Sequence, residues 1–218
     1  MSIALSLGNN LTTGGIFKPA AVNNTSVNNV TDFAGIAGGG TLVLISEQTA
    51  SASANISFTT GIDSTYDEYI FKFINIHPSV NDTDITFQGS TNGGSSYGIT
   101  LTSTNFQAVH FESDSTGLSY ENVYDLAQST SYQILNHSIG TDNDQSASGT
   151  LHLFNPSSTT YVKHFIYRGS CYHAADLEVD AYIAGYFNTT SAINAVDFKM
   201  SSGNIDDGII KMYGLVKS

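Results

Sequence analysis

Two aspartates in a polar segment have the spacing that most resembles a metal site. In TDNDQS, Asp142, Asp144 and Ser146 occupy positions one, three and five of a calcium-binding loop. The glycine expected at position six is replaced by Ala147, and the acid expected at position twelve is replaced by Leu153. The segment is therefore not an EF-hand, and Asp142 and Asp144 are predicted only as ligands of a weak surface calcium site.

The six histidines and the single cysteine lack the spacing of a known catalytic or zinc motif. Cys171 and His173 are two residues apart, which places both side chains on one face of a strand. Thiolate catalysis would also need an orienting third group and a cleft, and the sequence indicates neither. There is no G-x-S-x-G motif and no glycine-rich phosphate loop. We therefore predict a packed thiol, no catalytic residue and no cofactor.

Tyrosines are the remaining side chains with binding chemistry, since the chain has twelve tyrosines and no tryptophan. Four of them fall in or near predicted loops and are candidates for contact with a ligand: Tyr97, Tyr120, Tyr124 and Tyr132. Exposed aromatic rings of this kind can contact a sugar or a partner protein. The alternative is that these tyrosines cap the edges of the core, and the sequence leaves both open.

Composition places these residues in an acidic β-rich chain. The 218 residues suffice for one large domain, or for a domain with an extended arm. Charged residues make up 12% of the chain, about half of the usual fraction of roughly 25%. The net charge of −12 argues against nucleic acid as a partner. No apolar run is long enough for a membrane-spanning helix, and the first residues lack the basic region of a signal peptide.

Short alternating segments separated by turn residues predict an antiparallel β-sandwich or barrel. In YDEYIFKFINI, Tyr69, Phe71 and Phe73 fall on one face of a strand, and Pro78 ends its pairing. Residues 84–103, DITFQGSTNGGSSYGITLTS, predict a β-hairpin with an Asn-Gly turn.

Residues 1–40 differ from the rest because they are rich in Asn, Gly and Thr and their apolar residues stand singly. Such a segment cannot bury enough surface by itself to offset the entropy of ordering it. We predict an extended arm that assembles on another surface, the alternative being a mobile tail. The apolar residues expected to anchor the arm are Phe17, Val22, Val30 and Phe33. The predicted domains are this arm and a β-sandwich over residues 41–218.

Four segments carry a resemblance to a known family: STYDEYIFKFINIHP, DLAQSTSYQIL, DNDQSASGTLHLFNPSSTTYVKHF and VDFKMSSGNIDDGIIKMYGL. Over roughly residues 41–216 the chain resembles virion structural proteins of marine tailed bacteriophages, of the fibre or decoration type. The resemblance implies an antiparallel, jelly-roll-like β-sandwich on the outside of the particle. It brings no catalytic or ligand-binding residues to this sequence.

The expected function is therefore that of a non-enzymatic structural protein on the virion surface, as a capsid decoration or a short head or tail fibre. It would be made in the bacterial host cytoplasm. Expected partners are other capsid or tail proteins and copies of the chain in a homotrimer. Two alternatives stay open: a tail-fibre module that attaches to a host surface glycan through loop tyrosines, and a polysaccharide depolymerase with two carboxylates across a groove.

Overall fold

The computed structural model describes residues 42–216, and all regular elements in this range are β-strands. No segment in this range is a helix that could cross a membrane. The strands are β1 Leu42–Thr49, β2 Ile56–Phe58, β3 Glu68–Pro78, β4 Thr83–Ser90, β5 Leu101–Phe111, β6 Thr116–Tyr120, β7 Gln133–Ile139, β8 Ala147–Phe154, β9 Lys163–His173, β10 Leu177–Phe187, β11 Ala195–Met200 and β12 Ile205–Leu215. The predicted all-β class is confirmed.

The strands form two antiparallel layers. The large sheet has the order β1-β12-β3-β8-β9-β10-β5-β6, and the small sheet has the order β2-β11-β4-β7. A single pairing of Ile139 with His173 connects the two sheets along one side. From β1 to β5 successive strands alternate between the layers, as they do in a jelly roll. The pair β5–β6 and the run β8–β9–β10 instead stay within the large sheet and widen it. The predicted jelly-roll-like sandwich is confirmed.

Phenylalanine rings from both sheets form the centre of the core. Phe198 of the small sheet contacts Phe71 and Phe73 of the large sheet edge to face, with ring centroids 5.3 and 5.0 Å apart. Phe87 contacts Phe165 in the same way at 5.0 Å. Edge-to-face pairs add stability beyond the burial of their area. The inward face predicted for β3 is confirmed, because its alternate aromatic side chains are fully or almost fully buried.

The predicted hairpin over residues 84–103 is wrong. β4 pairs with β7 and β11 in the small sheet, whereas β5 pairs with β10 and β6 in the large sheet. The chain does turn at Asn92-Gly93, but it then crosses to the other layer. The buried Gln88 side chain helps to fix this crossing, because its Nε2 donates to the carbonyls of Ile99 and Ser131 at 3.2 and 2.9 Å.

Candidate binding face

The outward side of the large sheet, here called the outer face, carries most of the exposed apolar side chains. Twelve large apolar residues are exposed within residues 42–216. Seven of the twelve lie on the outer face: Leu42, Leu44, Ile74, Phe106, Leu118, Tyr120 and Ile166. Strand alternation directs them outward because their chain neighbours, such as Phe73 and Phe165, fill the core. The outer face is therefore the candidate contact surface of the described residues.

The strand register aligns one side chain from each of the eight strands across the outer face. We call this line the cross-sheet row, and its members are Tyr120, Phe106, Tyr182, Arg168, Thr150, Lys72, Lys211 and Glu47. Neighbouring strands are about 4.8 Å apart, so the row is about 34 Å long. One end of the row is aromatic, and the other end carries the charged residues Lys72, Lys211 and Glu47.

The aromatic end is a stack held by hydrogen bonds. The Phe106 and Tyr182 rings are nearly parallel, with centroids 4.8 Å apart and an interplanar angle of 2°. The Arg168 guanidinium lies 4.9 Å from the Tyr182 ring centroid on a neighbouring strand. Asp180 accepts hydrogen bonds from Arg168 Nη2 at 2.8 Å and from the Tyr182 hydroxyl at 2.9 Å. The hydrogen bond from Arg168 lowers the pKa of the Asp180 carboxyl, so this carboxylate stays charged and holds the stack in place.

The cross-sheet row concentrates positive charge in a chain of net charge −12. Three of the five basic residues in the described part of the chain lie in the row, namely Arg168, Lys72 and Lys211. Lys211 forms an ion pair with Glu47 at 2.8 Å. The Lys72 ammonium lies 5.8 Å from the Tyr213 ring centroid. Arg168 is paired with Asp180 and Lys211 with Glu47, so the row carries less negative charge than the chain as a whole.

Two shallow depressions lie on either side of Ile166, whose surface is 49% exposed. One of about 490 Å³ is lined by residues that include Ile70, Lys72 and His152. The other, of about 420 Å³, extends over Ala184 and Tyr186. Ile166 therefore forms a ridge, and a partner can place side chains on both sides of it.

The four predicted loop tyrosines do not share one environment. The Tyr132 hydroxyl donates a hydrogen bond to the buried carboxylate of Asp197 at 2.9 Å. The Lys199 ammonium lies 4.1 Å from the Tyr132 ring centroid. Tyr97 lies near the same carboxylate. Burial, and then the Asp197 charge, raise the pKa of both hydroxyls. Tyr97 and Tyr132 thus form part of a polar cluster beside the small sheet.

The other two tyrosines lie elsewhere. Tyr124 stacks on the His137 ring at a centroid distance of 4.4 Å. Tyr120 is 56% exposed and lies in the cross-sheet row, with its hydroxyl hydrogen-bonded to Asp125. Of the four, Tyr120 is the one that belongs to the outer face. Whether any of them contacts a glycan stays a prediction.

The two aspartates predicted as calcium ligands have polar neighbours. Asp144 lines a polar depression with Asp206 and Asp207, and the Asp142 amide donates to the Gln145 side chain at 3.0 Å. Within residues 42–216 no group of three or more His, Cys, Asp or Glu side chains is placed to hold a metal ion. The weak calcium site stays a prediction.

The predicted arm, with Phe17, Val22, Val30 and Phe33, lies outside the described residues.

The cysteine and two histidines lie together where the two sheets join. Cys171 is buried, as predicted, with its Sγ 3.6 Å from the His137 carbonyl oxygen, and burial raises its thiol pKa to about 12. The His137 and His173 rings are in edge contact at 5.4 Å. Burial lowers the pKa of both imidazoles, and the nearby Asp82 and Asp84 carboxylates only partly oppose this.

This histidine pair predicts a loss of stability in mild acid. An unfolded imidazole has a pKa of about 6.5, and the folded values are lower. Below that pH the unfolded state therefore binds more protons than the folded state, and the free energy of unfolding falls. Above it both states are neutral and the effect vanishes. Urea denaturation between about pH 7 and pH 5 should show this fall. The fall in the free energy of unfolding should be smaller in His173→Gln and unchanged in the exposed control His110→Gln. Equal dependence of this free energy on pH in the unmodified chain and in both variants would contradict the assignment to the histidine pair.

The cross-sheet row was not visible in the sequence because its members are far apart in the chain. Alternation along one strand does indicate which side chains point outward, since Ile166 and Arg168 must face away from the buried Phe165 and Tyr167. It does not indicate which side chains of other strands lie beside them. Comparison of the chain with models of protein families, with curated proteins and with solved structures finds no match. The function is therefore inferred from the outer face together with the sequence resemblance.

Proposed function

We propose that this chain is a non-enzymatic structural protein on the surface of a tailed-phage particle, and that it binds its neighbours through the outer face. The observation that carries the proposal is the concentration of seven of the twelve exposed large apolar side chains on this one surface. The sequence resemblance to virion proteins supports the location. The jelly-roll body also occurs in viral capsids, although a fold by itself does not determine a function.

The size of the outer face suits a protein interface. The row is about 34 Å long, and strands of about eight residues extend about 25 Å in the other direction. The resulting area of roughly 850 Å² matches the share of about 800 Å² that one partner contributes to a standard interface. Partners that fit are other capsid or tail proteins, and copies of the same chain in a homotrimer.

The character of the face also suits assembly. The ridge at Ile166 and the stacked Phe106 and Tyr182 rings offer apolar anchors that require little further ordering. Arg168, which is hydrogen-bonded to Asp180, lies beside both anchors, on the same strand as Ile166 and 4.9 Å from the Tyr182 ring centroid. Arginine and aromatic rings are typical of interface hot spots. The outer face thus offers both apolar contact area and side chains that are already held in place for a partner.

Replacing Ile166 with lysine tests this proposal. The side chain is 49% exposed, so Ile166→Lys should leave the melting temperature nearly unchanged. It places a charge at the centre of the face and should reduce the copies of the chain per phage particle about tenfold or more, as loss of an interface hot spot does. Copy number and position are measured by cryo-electron microscopy of particles whose genome encodes the variant.

Val80→Lys is the matched control, because Val80 is 40% exposed and lies in the turn after β3. This variant should assemble normally. A normal copy number for Ile166→Lys, or particles in which the outer face points into solvent, would overturn the proposal.

A further inference from the structure

The edge strand β6 lacks several of the features that usually protect a sheet edge. Within residues 42–216 its pairing partner is β5, and all five of its residues, TGLSY, are exposed. The strand contains no charged residue and no proline, and its pairing with β5 has no bulge. Charged residues, prolines and bulges are among the features that block natural edge strands. We propose that β6 pairs antiparallel with β6 of a second copy of this chain, joining two large sheets into one.

Hydrogen bonds at both ends of the β5–β6 pair determine which backbone groups face outward. The Phe111 amide donates to the Ser115 carbonyl at 2.8 Å, and the Glu121 amide donates to the Asn105 carbonyl at 2.8 Å. Antiparallel pairs alternate between hydrogen-bonded and non-hydrogen-bonded positions. Three residues of β6 consequently direct their N–H and C=O groups away from β5: Thr116, Leu118 and Tyr120.

These three residues are complementary to themselves about a twofold axis at Leu118. Leu118 of one copy lies opposite Leu118 of the other, and Thr116 lies opposite Tyr120 at each end. Every one of these positions is a hydrogen-bonded pair, so the contact contains three pairs with two backbone bonds each. Leu118, at 76% exposure, is the most exposed of the large apolar side chains described. In the proposed dimer it packs beside Leu118 of the second copy.

The charges at the two ends of β6 make this contact dependent on salt. Glu112 and Asp114 lie in the hairpin before β6, and Glu121 and Asp125 follow it. In the antiparallel pair the hairpin end of one copy lies beside the Tyr120 end of the other, so these carboxylates approach each other. Salt screens this repulsion. Self-association should therefore strengthen as the sodium chloride concentration rises, whereas a contact held by ion pairs would weaken.

A cysteine at the twofold axis tests the register in the full-length chain. Cα atoms of a hydrogen-bonded antiparallel pair are about 5.5 Å apart, which is within the range of a disulfide. Under mild oxidation Leu118→Cys should form covalent dimers at least tenfold faster than Tyr161→Cys, whose site is similarly exposed at 71%. Tyr120→Cys should also be slow, because its partner is Thr116. The native Cys171 is buried and does not compete. Equal rates at the three positions would overturn the proposal.

Analytical ultracentrifugation supplies a second measurement without oxidation. The unmodified chain should show concentration-dependent dimers that increase with salt. Leu118→Lys should weaken dimerisation at least tenfold because two like charges meet at the axis, whereas Tyr161→Lys should not change it. Ile166→Lys should also leave this dimer intact, which separates the β6 contact from the proposed role of the outer face. A chain that is monomeric at every concentration and salt level, or a dimer that survives Leu118→Lys, would overturn the proposal.

Discussion

Replacing Phe198 with alanine is expected to lower the free energy of unfolding by about 3–5 kcal/mol, the usual range for a buried phenylalanine. The ring is fully buried, at 0% exposure. It packs against rings of both sheets, including Phe71, Phe73 and Phe87. Its removal leaves a cavity between two sheets, and hydrogen-bonded strands cannot easily close such a cavity. Urea denaturation followed by circular dichroism measures the change.

Phe106→Ala is the matched control for this experiment. Phe106 is also a phenylalanine in a strand, but it lies on the outer face and is 42% exposed. Its loss removes the stack with Tyr182 and should cost about 1 kcal/mol. If both variants lost the same stability, Phe198 would not be part of the central core and the packing of the two sheets would be wrong.

The second large effect is expected at Gly169, where a methyl group has no space. Gly169 of β9 lies opposite Gly149 of β8 in the sheet register, and the Tyr167 ring lies over both glycines. The buried Tyr167 hydroxyl donates to Asn136 Oδ1. A Cβ at Gly169 would overlap the Tyr167 hydroxyl and lie 2.6 Å from the Asn136 Oδ1 atom. Gly169→Ala should therefore lower the free energy of unfolding by about 1–3 kcal/mol through overpacking.

Gly117→Ala provides the comparison at an exposed strand position. The nearest atom to a Cβ there is the end of the Val109 side chain at 3.1 Å, which can move slightly. The expected change is within about 0.5 kcal/mol, and it can be stabilising because alanine restricts the unfolded chain. Equal stability of the two alanine variants in the same urea titration would show that the Tyr167 ring does not occupy the slot between the glycines.

The physical character of the outer face explains why the same sheet can bury a dense core and offer a contact surface. Each strand places alternate residues on opposite sides. In β9, Phe165 and Tyr167 enter the core while Ile166 and Arg168 point outward. The Cα atoms of the exposed row are thereby positioned by the same backbone ladder that carries the core side chains.

The sequence by itself determined the features that depend on neighbouring residues. Alternation located β3 and its inward face, with Phe71 and Phe73 buried, because the side-chain period of a strand is a local property. The turn at Asn92-Gly93 was also identified correctly as a turn. Composition and spacing were enough to predict an antiparallel β-sandwich or barrel.

The tertiary structure alone decided which strands pair and which side chains meet. The Asn-Gly turn does not close a hairpin, because both edges of β4 are paired with β7 and β11 and both edges of β5 are paired with β10 and β6. Lys72 and Arg168 come into one row only through the register of β3, β8 and β9. Local patterns specify the conformation of each strand, whereas its partner is chosen by the total burial and hydrogen bonding of the whole chain.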